Sequence, residues 1–321
     1  MALAGLQACC ETCQKGSSSV QCFLRGESIR VMEYEGIVIR PPSEADSLIL
    51  QVTLGCSHNR CTFCPTYKGR PFRIKDPGKI QSEIDECASY GPFRKVFLAD
   101  GDALIMPQEQ LLPIFKSLNE KIQGLRRVGI YGNAKSILRK TVEELKALKA
   151  LKLGIVYLGV ETGDEALLEK IHKGATYEKM VEAGRRIREA GITLSATVLL
   201  GLGGTDKSHQ HALATAKILS EIDPDFASAL TLMVVPGTPL YDEMQAGRFQ
   251  LPPPFQLLEE LKTIVEHSHF SRCYFTSNHA SNYLPIKARL PRDKDAVVDF
   301  IRQVISAGDA SFLRPEFSRG L

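Results

Sequence analysis

From residue 47 onward, short apolar runs rich in Val, Ile and Leu alternate with longer segments whose apolar residues recur at helical spacing. The runs fit strands buried on both faces and the amphipathic segments fit helices covering them, the pattern of a parallel sheet with crossover helices. Six such units can be counted. The predicted strands are 48–53, 95–99, 128–131, 155–160, 193–200 and 229–235, and the predicted helices are 80–89, 108–122, 142–151, 177–190, 208–219 and 255–267. Ahead of the third helix, Thr141 and Glu144 have the spacing of a capping box.

Six βα units with right-handed crossovers curl into a partial barrel or form a doubly wound open sheet. Either architecture puts function at the carboxyl ends of the strands. The unusual residues fall there: Cys56, Cys61 and Cys64, then Asp100-Gly101-Asp102, Asn133, Glu161-Thr162-Gly163, Gly201-Leu202-Gly203-Gly204 and Pro236-Gly237-Thr238-Pro239. Turn chemistry by itself supplies many of these Gly and Pro residues.

Outside the six units the pattern changes. Residues 1–31, with Gly16-Ser17-Ser18-Ser19 and little periodicity, read as a disordered tail ahead of a core at 32–245. Residues 246–321 read as an extension covering the barrel: a Pro-rich break, a helix, a polar-aromatic stretch at 274–283 and a final amphipathic helix at about 293–306. No internal repeat marks a solenoid.

Charge and composition narrow the function classes. Against 37 Asp and Glu stand 40 Lys and Arg, a formal net charge of +3, which excludes a polybasic arm and argues against nucleic acid as partner. A hydrophobic content of 44% and a charged content of 24% are ordinary for a globular chain. No apolar run approaches a membrane span and the start lacks the form of a secretory signal, so a cytoplasmic location is expected.

The nine cysteines are unevenly placed. Cys9, Cys10, Cys13 and Cys22 lie in the tail, where they read as incidental or as ligands of a second cluster, and Cys87 reads as a small buried hydrophobe. An odd count without a signal argues against a disulfide framework. Cys56, Cys61 and Cys64 put three thiols within nine residues of one loop. Structural zinc takes four ligands, commonly as two knuckles, and only His58 inside the loop offers a fourth. A four-iron cluster normally takes four cysteines, so three leave one iron open for a ligand.

Cys56-Ser57-His58-Asn59-Arg60-Cys61-Thr62-Phe63-Cys64 after a buried strand resembles the cluster loop of radical S-adenosylmethionine (radical SAM) enzymes, including the aromatic residue before the last cysteine. The resemblance runs from about residue 45 to 240. Its spacing departs from the family's commonest Cys-x3-Cys-x2-Cys by one residue, which a Ser-His-Asn loop can absorb. It implies a partial (β/α)6 TIM-like barrel with a short C-terminal α extension. It also implies a 4Fe-4S cluster on Cys56, Cys61 and Cys64, and S-adenosylmethionine bound at the open iron. One electron delivered to the sulfonium would release methionine and a 5′-deoxyadenosyl radical that abstracts hydrogen from a substrate.

The same resemblance implies cofactor contacts. Phe63 faces adenine through its backbone. Asp100, Gly101 and Asp102 stand where the family's Gly-Gly-Glu holds the methionyl amino group. Glu161 stands where an acid approaches ribose and amino acid, Lys173 where a basic residue meets the methionyl carboxylate, and Thr197 and Leu202 where ribose and adenine are contacted. For Asp102 and Glu161 helix capping is the competing structural role, and for Lys173 a solvated helix end.

His279, in a stretch with Asn278, Asn282 and Tyr283, is the candidate catalytic residue from the substrate side, against the alternative of a self-capping turn. The substrate, small or macromolecular, is unidentified, and the electron donor is expected to be of the flavodoxin or ferredoxin kind. A coproporphyrinogen dehydrogenase is the specific alternative, although its tyrosine-containing lead-in to the cluster is missing. A methylthiotransferase would need a cysteine-rich N-terminal domain and an RNA-binding module, neither visible. From another class, the chain reads as a noncatalytic iron-sulfur or zinc-binding module.

Overall fold

The computed structural model describes residues 19–24 and 27–320, with side chains from residue 34 onward. Strands β1 (Ser19–Leu24) and β2 (Glu27–Glu33) form an antiparallel ribbon. They lie within the segment read as a tail, apart from the last two residues of β2, and the β-branched and aromatic residues Val20, Phe23, Ile29 and Val31 favour extended structure. Cys9, Cys10 and Cys13 lie outside the described residues.

The main domain then runs β3 (Leu48–Gln51), β4 (Thr53–Leu54), β5 (Arg73–Ile74), α1 (Pro77–Ser89), β6 (Lys95–Ala99), α2 (Gln108–Lys121), β7 (Arg127–Tyr131), α3 (Ala134–Leu138), α4 (Val142–Ala150), β8 (Leu153–Glu161), α5 (Glu165–Lys170), α6 (Tyr177–Glu189), β9 (Thr193–Leu200), α7 (Gly204–Ile222), β10 (Phe226–Thr231), α8 (Pro239–Gln245), α9 (Pro254–His267), β11 (Cys273–Thr276), β12 (Lys287–Leu290) and α10 (Lys294–Ala307).

Eight strands form one sheet in the order β12-β11-β10-β9-β8-β7-β6-β3, parallel except for the β11–β12 pair. Its ends, β3 and β12, do not pair with each other, so the sheet stays open, as in a partial barrel. The two-residue periodicity of strands sorts side chains between its faces. Leu48, Leu50, Val96 and Leu98 join the large core with the helices, whereas Ile49, Phe97, Ile155, Tyr131 and Tyr157 meet on the opposite face. There, Tyr157 donates to the buried Glu44, which also receives Arg127. The capping box at Thr141 and Glu144 is formed as expected.

Three expectations need correction. The first strand does not run through to residue 53: Val52 donates to Ala99 O at 2.8 Å, and Thr53–Leu54 then peels off to pair with Arg73–Ile74. This two-stranded ribbon closes the base of the cysteine loop. The sixth strand begins three residues earlier than read, because Phe226 pairs with Ser195 and the ladder ends at Thr231 with Leu200. Beyond it, Leu232 and Val234 pack in a separate apolar cluster with Leu202, Ile171 and Phe63. The extension is also not purely helical. Cys273 and Phe275 are buried and alternate with half-buried Tyr274 and Thr276, which lets β11 dock parallel to β10. No helix among the described residues is long and apolar enough to cross a membrane.

Candidate functional site

The cysteine loop is pinned at several points. Gly55, at φ 75°, lets the chain leave the ribbon. Asn59, at φ 45°, accommodates the turn with a residue type that tolerates the left-handed region, and its Nδ2 donates to Tyr67 O at 2.7 Å and Arg70 O at 3.3 Å. His58 Nε2 lies 2.5 Å from His172 O, Thr62 N donates to Ile171 O at 3.0 Å, and Leu240 N donates to Thr62 O at 3.1 Å. The loop therefore sits between the turn after α5 and the start of α8.

Cys56, Cys61 and Cys64 are all partly exposed and unpaired by disulfide, while Cys87 and Cys273 are buried in the main core. Burial pushes the Cys56 thiol up and the Cys61 thiol up to about 11, against the pull of nearby Lys173. Thiols held that high ionise when a cation replaces the proton, as metal ligation requires. Among the described residues no three His, Cys, Asp or Glu side chains are arranged to hold one metal ion. A four-iron cluster spreads its cysteine ligands over separate irons, so three neighbouring thiols suit it without meeting at a point. The donor set fits such a cluster with one iron left open.

The Asp100-Gly101-Asp102 turn underlies this loop. Asp100 Oδ2 accepts from Gln51 Nε2 at 2.9 Å and Gly55 N at 3.3 Å, tying β3 and β6 to the loop's entrance. Gly101 is required by close packing, since a Cβ there would stand 2.5 Å from Tyr67 Cε2 and 3.2 Å from Cys56 Cβ. Asp102 is fully buried, and its carboxylate accepts from Ser57 Oγ, Asn133 N (3.1 Å), Asn133 Nδ2 (2.7 Å) and Ser136 Oγ (2.5 Å). Burial pushes both acids up, and these donors pull Asp102 back. Two donors on each oxygen fill the four acceptor sites of a carboxylate. The structure thus uses Asp102 to join the cysteine loop to α3.

Glu161 ends β8 at φ 67°, beside a bulge in the β8–β9 ladder, a costly conformation for a residue with a side chain. Its Oε1 accepts from Lys173 Nζ at 2.9 Å, and both side chains are about nine-tenths buried. Gly159 makes room for the pair: a Cβ there would lie 2.2 Å from Glu161 Oε1 and 3.0 Å from Lys173 Nζ. Burial works against the charge on Lys173, yet Glu161 and the thiols of Cys61 and Cys56 outweigh it and raise its pKa. The lysine is therefore a fixed cation beside the cysteines. Phe63 and Leu202 share one apolar cluster, and Thr197 is half-buried on β9.

The structure brings together Cys56, Gly101 and Asp102, and puts the Lys173–Glu161 pair within electrostatic reach of the Cys61 thiol. His279 lies elsewhere, in the loop after β11. Its Nδ1 accepts from Ser281 N at 3.1 Å, and Arg314 Nη1 donates to its carbonyl at 2.9 Å. Burial and then Arg314 push its pKa down. Its neighbour Asn282 is structural, accepting from Thr231 Oγ1 and donating to Ala229 O, each at 2.9 Å.

Sequence reasoning missed a buried network behind the β8 and β9 ends. His211 on α7 has Nδ1 2.9 Å from Thr162 Oγ1 and Nε2 3.0 Å from Leu199 O. Glu260 on α9 accepts from Gly201 N at 2.7 Å and Ser208 Oγ at 2.6 Å. The sequence signal was a glutamate within the apolar face formed by Leu257, Leu258, Leu261 and Ile264.

Comparison with known proteins decides the family, because the radical SAM superfamily model matches residues 50–216, slightly over half the chain. The chain belongs to the radical SAM superfamily. Members of this superfamily are enzymes that use a 4Fe-4S cluster and S-adenosylmethionine. The chain is 28% identical over 219 residues to the heme chaperone HemW of Bacillus subtilis (strain 168), covering 65% of this chain and 56% of the relative. It is 25% identical over 267 residues to the tRNA-2-methylthio-N(6)-dimethylallyladenosine synthase of Clostridium botulinum (strain Hall), covering 79% and 55% respectively. It therefore spans a little over half the length of these two relatives. Coproporphyrinogen III oxidase (HemN) from Escherichia coli superposes with a TM-score of 0.53 at 18% identity, covering 68% of this chain and 51% of that one. The methyltransferase TsrM from Kitasatospora setae, with cobalamin and a [4Fe-4S] cluster bound, does so with 0.51 at 17% identity, covering 65% and 41%. At these identities the superpositions speak for the fold.

Proposed function

We propose that this protein is a radical SAM enzyme in which Cys56, Cys61 and Cys64 hold a 4Fe-4S cluster and S-adenosylmethionine occupies the open iron. The observation that carries the reading is the partly buried trio of thiols beside the Lys173–Glu161 pair. When bound, the cluster supplies one electron and S-adenosylmethionine supplies the carbon–sulfur bond whose cleavage starts hydrogen abstraction.

The chain's own residues bind and orient. Lys173 pairs with the methionyl carboxylate, and Glu161, released from part of that pairing, accepts from the amino acid or ribose. With the carboxylate of Asp102 filled by Ser57, Asn133 and Ser136, the backbone carbonyls of the Asp100-Gly101 turn remain to take the methionyl amino group. Phe63 and Leu202 offer the adenine an apolar wall that keeps water out. Thr197 contributes a hydroxyl toward the ribose, and His279 contacts substrate from the loop after β11. A flavodoxin- or ferredoxin-type donor provides the electron.

The test is anaerobic reconstitution followed by iron, sulfide and product analysis. About four irons per chain are expected, with 5′-deoxyadenosine and methionine formed after chemical reduction. A stoichiometric zinc ion after anaerobic isolation, or a loaded cluster that binds no S-adenosylmethionine, overturns the reading.

A further inference from the structure

The buried network behind the strand ends touches no part of the proposed cofactor site directly, yet it fixes two of that site's walls. Glu260, His211, Thr162 and Thr215 are each at most 1% exposed and Ser208 is 4% exposed. Such groups are costly to bury unless their hydrogen bonds are made. Here they are made to the backbone of two different strand ends. Glu260 reaches across from α9 to the amide of Gly201, the first residue after β9, and to Ser208 in the first turns of α7. His211, one turn further along α7, spans from Leu199 O on β9 to Thr162, the residue following Glu161. Thr162 Oγ1 in turn accepts from Asp164 N at 3.0 Å, and Gly163 N donates to Thr215 Oγ1 at 3.3 Å.

The local backbone depends on this support. Gly201 and Gly204 have φ of 89° and 64°, conformations that give the Gly201-Leu202-Gly203-Gly204 loop few intrinsic preferences of its own. Gly204 N bonds back to Gly201 O at 3.1 Å, so a shift of Gly201 carries Leu202 and Gly203 with it. Gly163 is packed so closely that a Cβ would stand 2.0 Å from Ala214 O on α7. Helix α7 is therefore the common backing for the Glu161 end and the Leu202 loop.

We infer that Glu260 is a positioning residue for S-adenosylmethionine, holding the Gly201–Gly204 loop at a set distance from Glu161 through Gly201, Ser208 and the neighbouring His211. This rests on the reading under Proposed function that the two strand ends face the cofactor. Glu260 acts through backbone and makes no cofactor contact of its own.

The experiment uses the full chain, reconstituted anaerobically, with iron content and S-adenosylmethionine affinity measured separately by iron assay and equilibrium dialysis. Glu260→Ala should keep its iron but bind S-adenosylmethionine about tenfold more weakly or worse, because the buried hydrogen bonds from Gly201 N and Ser208 Oγ are both lost. Glu260→Gln should recover affinity to within about threefold of the unmodified protein, since its amide oxygen still accepts from Gly201 N. Unchanged affinity in Glu260→Ala overturns the inference. So does a parallel loss of iron and affinity, or a Gln variant as weak as the Ala variant. If Glu260→Ala does not fold, Ser208→Ala replaces it, with a drop of about threefold expected and no drop as the refuting result. Failure of the unmodified, cluster-loaded protein to bind S-adenosylmethionine is a different outcome and counts against the proposed function.

Discussion

Replacing Glu260 by Gln is expected to change how stability depends on pH, with a size that follows from burial. Burial pushes Glu260 up to about 7 from an ordinary 4.5, while the hydrogen bonds from Ser208 and Gly201 pull it part of the way back. Burial pushes His211 down to about 4 from 6.5. The two groups have opposite signs. The raised acid favours the folded state fully below pH 4.5, and that contribution is lost as pH rises through 7. The lowered histidine favours the folded state fully above pH 6.5, and that contribution is lost as pH falls through 4. At about 1.4 kcal/mol per pH unit, each is worth on the order of 3 kcal/mol across its window. Between pH 4.5 and 6.5 the two slopes oppose one another in the unmodified protein. Glu260→Gln removes the falling limb only. Its stability relative to the unmodified protein should thus rise by about 3 kcal/mol between pH 4.5 and 7. Urea denaturation of both proteins at half-unit pH steps, followed by circular dichroism, measures that difference. A difference that stays level across the window, or falls as pH rises, would falsify the reasoning.

Three further outcomes are expected. Cys61→Ala should abolish the cluster, read as loss of about four irons and of the visible absorbance, and full retention of iron would remove Cys61 from the ligand set. Glu161→Gln should retain the cluster but weaken S-adenosylmethionine binding by on the order of 1.5 to 3 kcal/mol, the range for a hydrogen bond to a charged group; equal affinity by calorimetry would reduce Glu161 to a structural partner of Lys173. Asn282→Ala should cost about 1 to 3 kcal/mol of stability by leaving Ala229 O and Thr231 Oγ1 without their buried partner, and a denaturation midpoint equal to that of the unmodified protein would contradict it.

The parts of the fold most legible in the sequence are those with long, one-signed patterns. Strands Lys95–Ala99 and Thr193–Leu200 have the bounds that their apolar runs suggest. Strands β11 and β12 escaped because four residues of alternating burial, such as Lys287-Ala288-Arg289-Leu290, look like any half-polar segment. The six-unit rhythm gave no reason to extend the sheet past α9. In the site, the cysteine trio stood out through its grouping on one loop and through the loop's resemblance to a known cluster loop, spacing by itself leaving zinc open. The partners of Asp102 were not, because Ser57, Asn133 and Ser136 come from separate segments that only the fold brings together. Glu260 and His211 were overlooked for another reason: the search followed strand ends, and these two act on strand ends from helices.

Asn59 shows why distance counted along a chain is a poor ruler for where side chains meet. Its left-handed backbone and its amide bonds to Tyr67 O and Arg70 O fix a turn within the four residues between Cys56 and Cys61. Searches that fix the interval between thiols discard chains of this kind, although the strand before the loop and the ribbon at its base are what anchor the geometry. A template built on those anchors, with the interval left free and a residue tolerant of positive φ allowed inside it, would retain them.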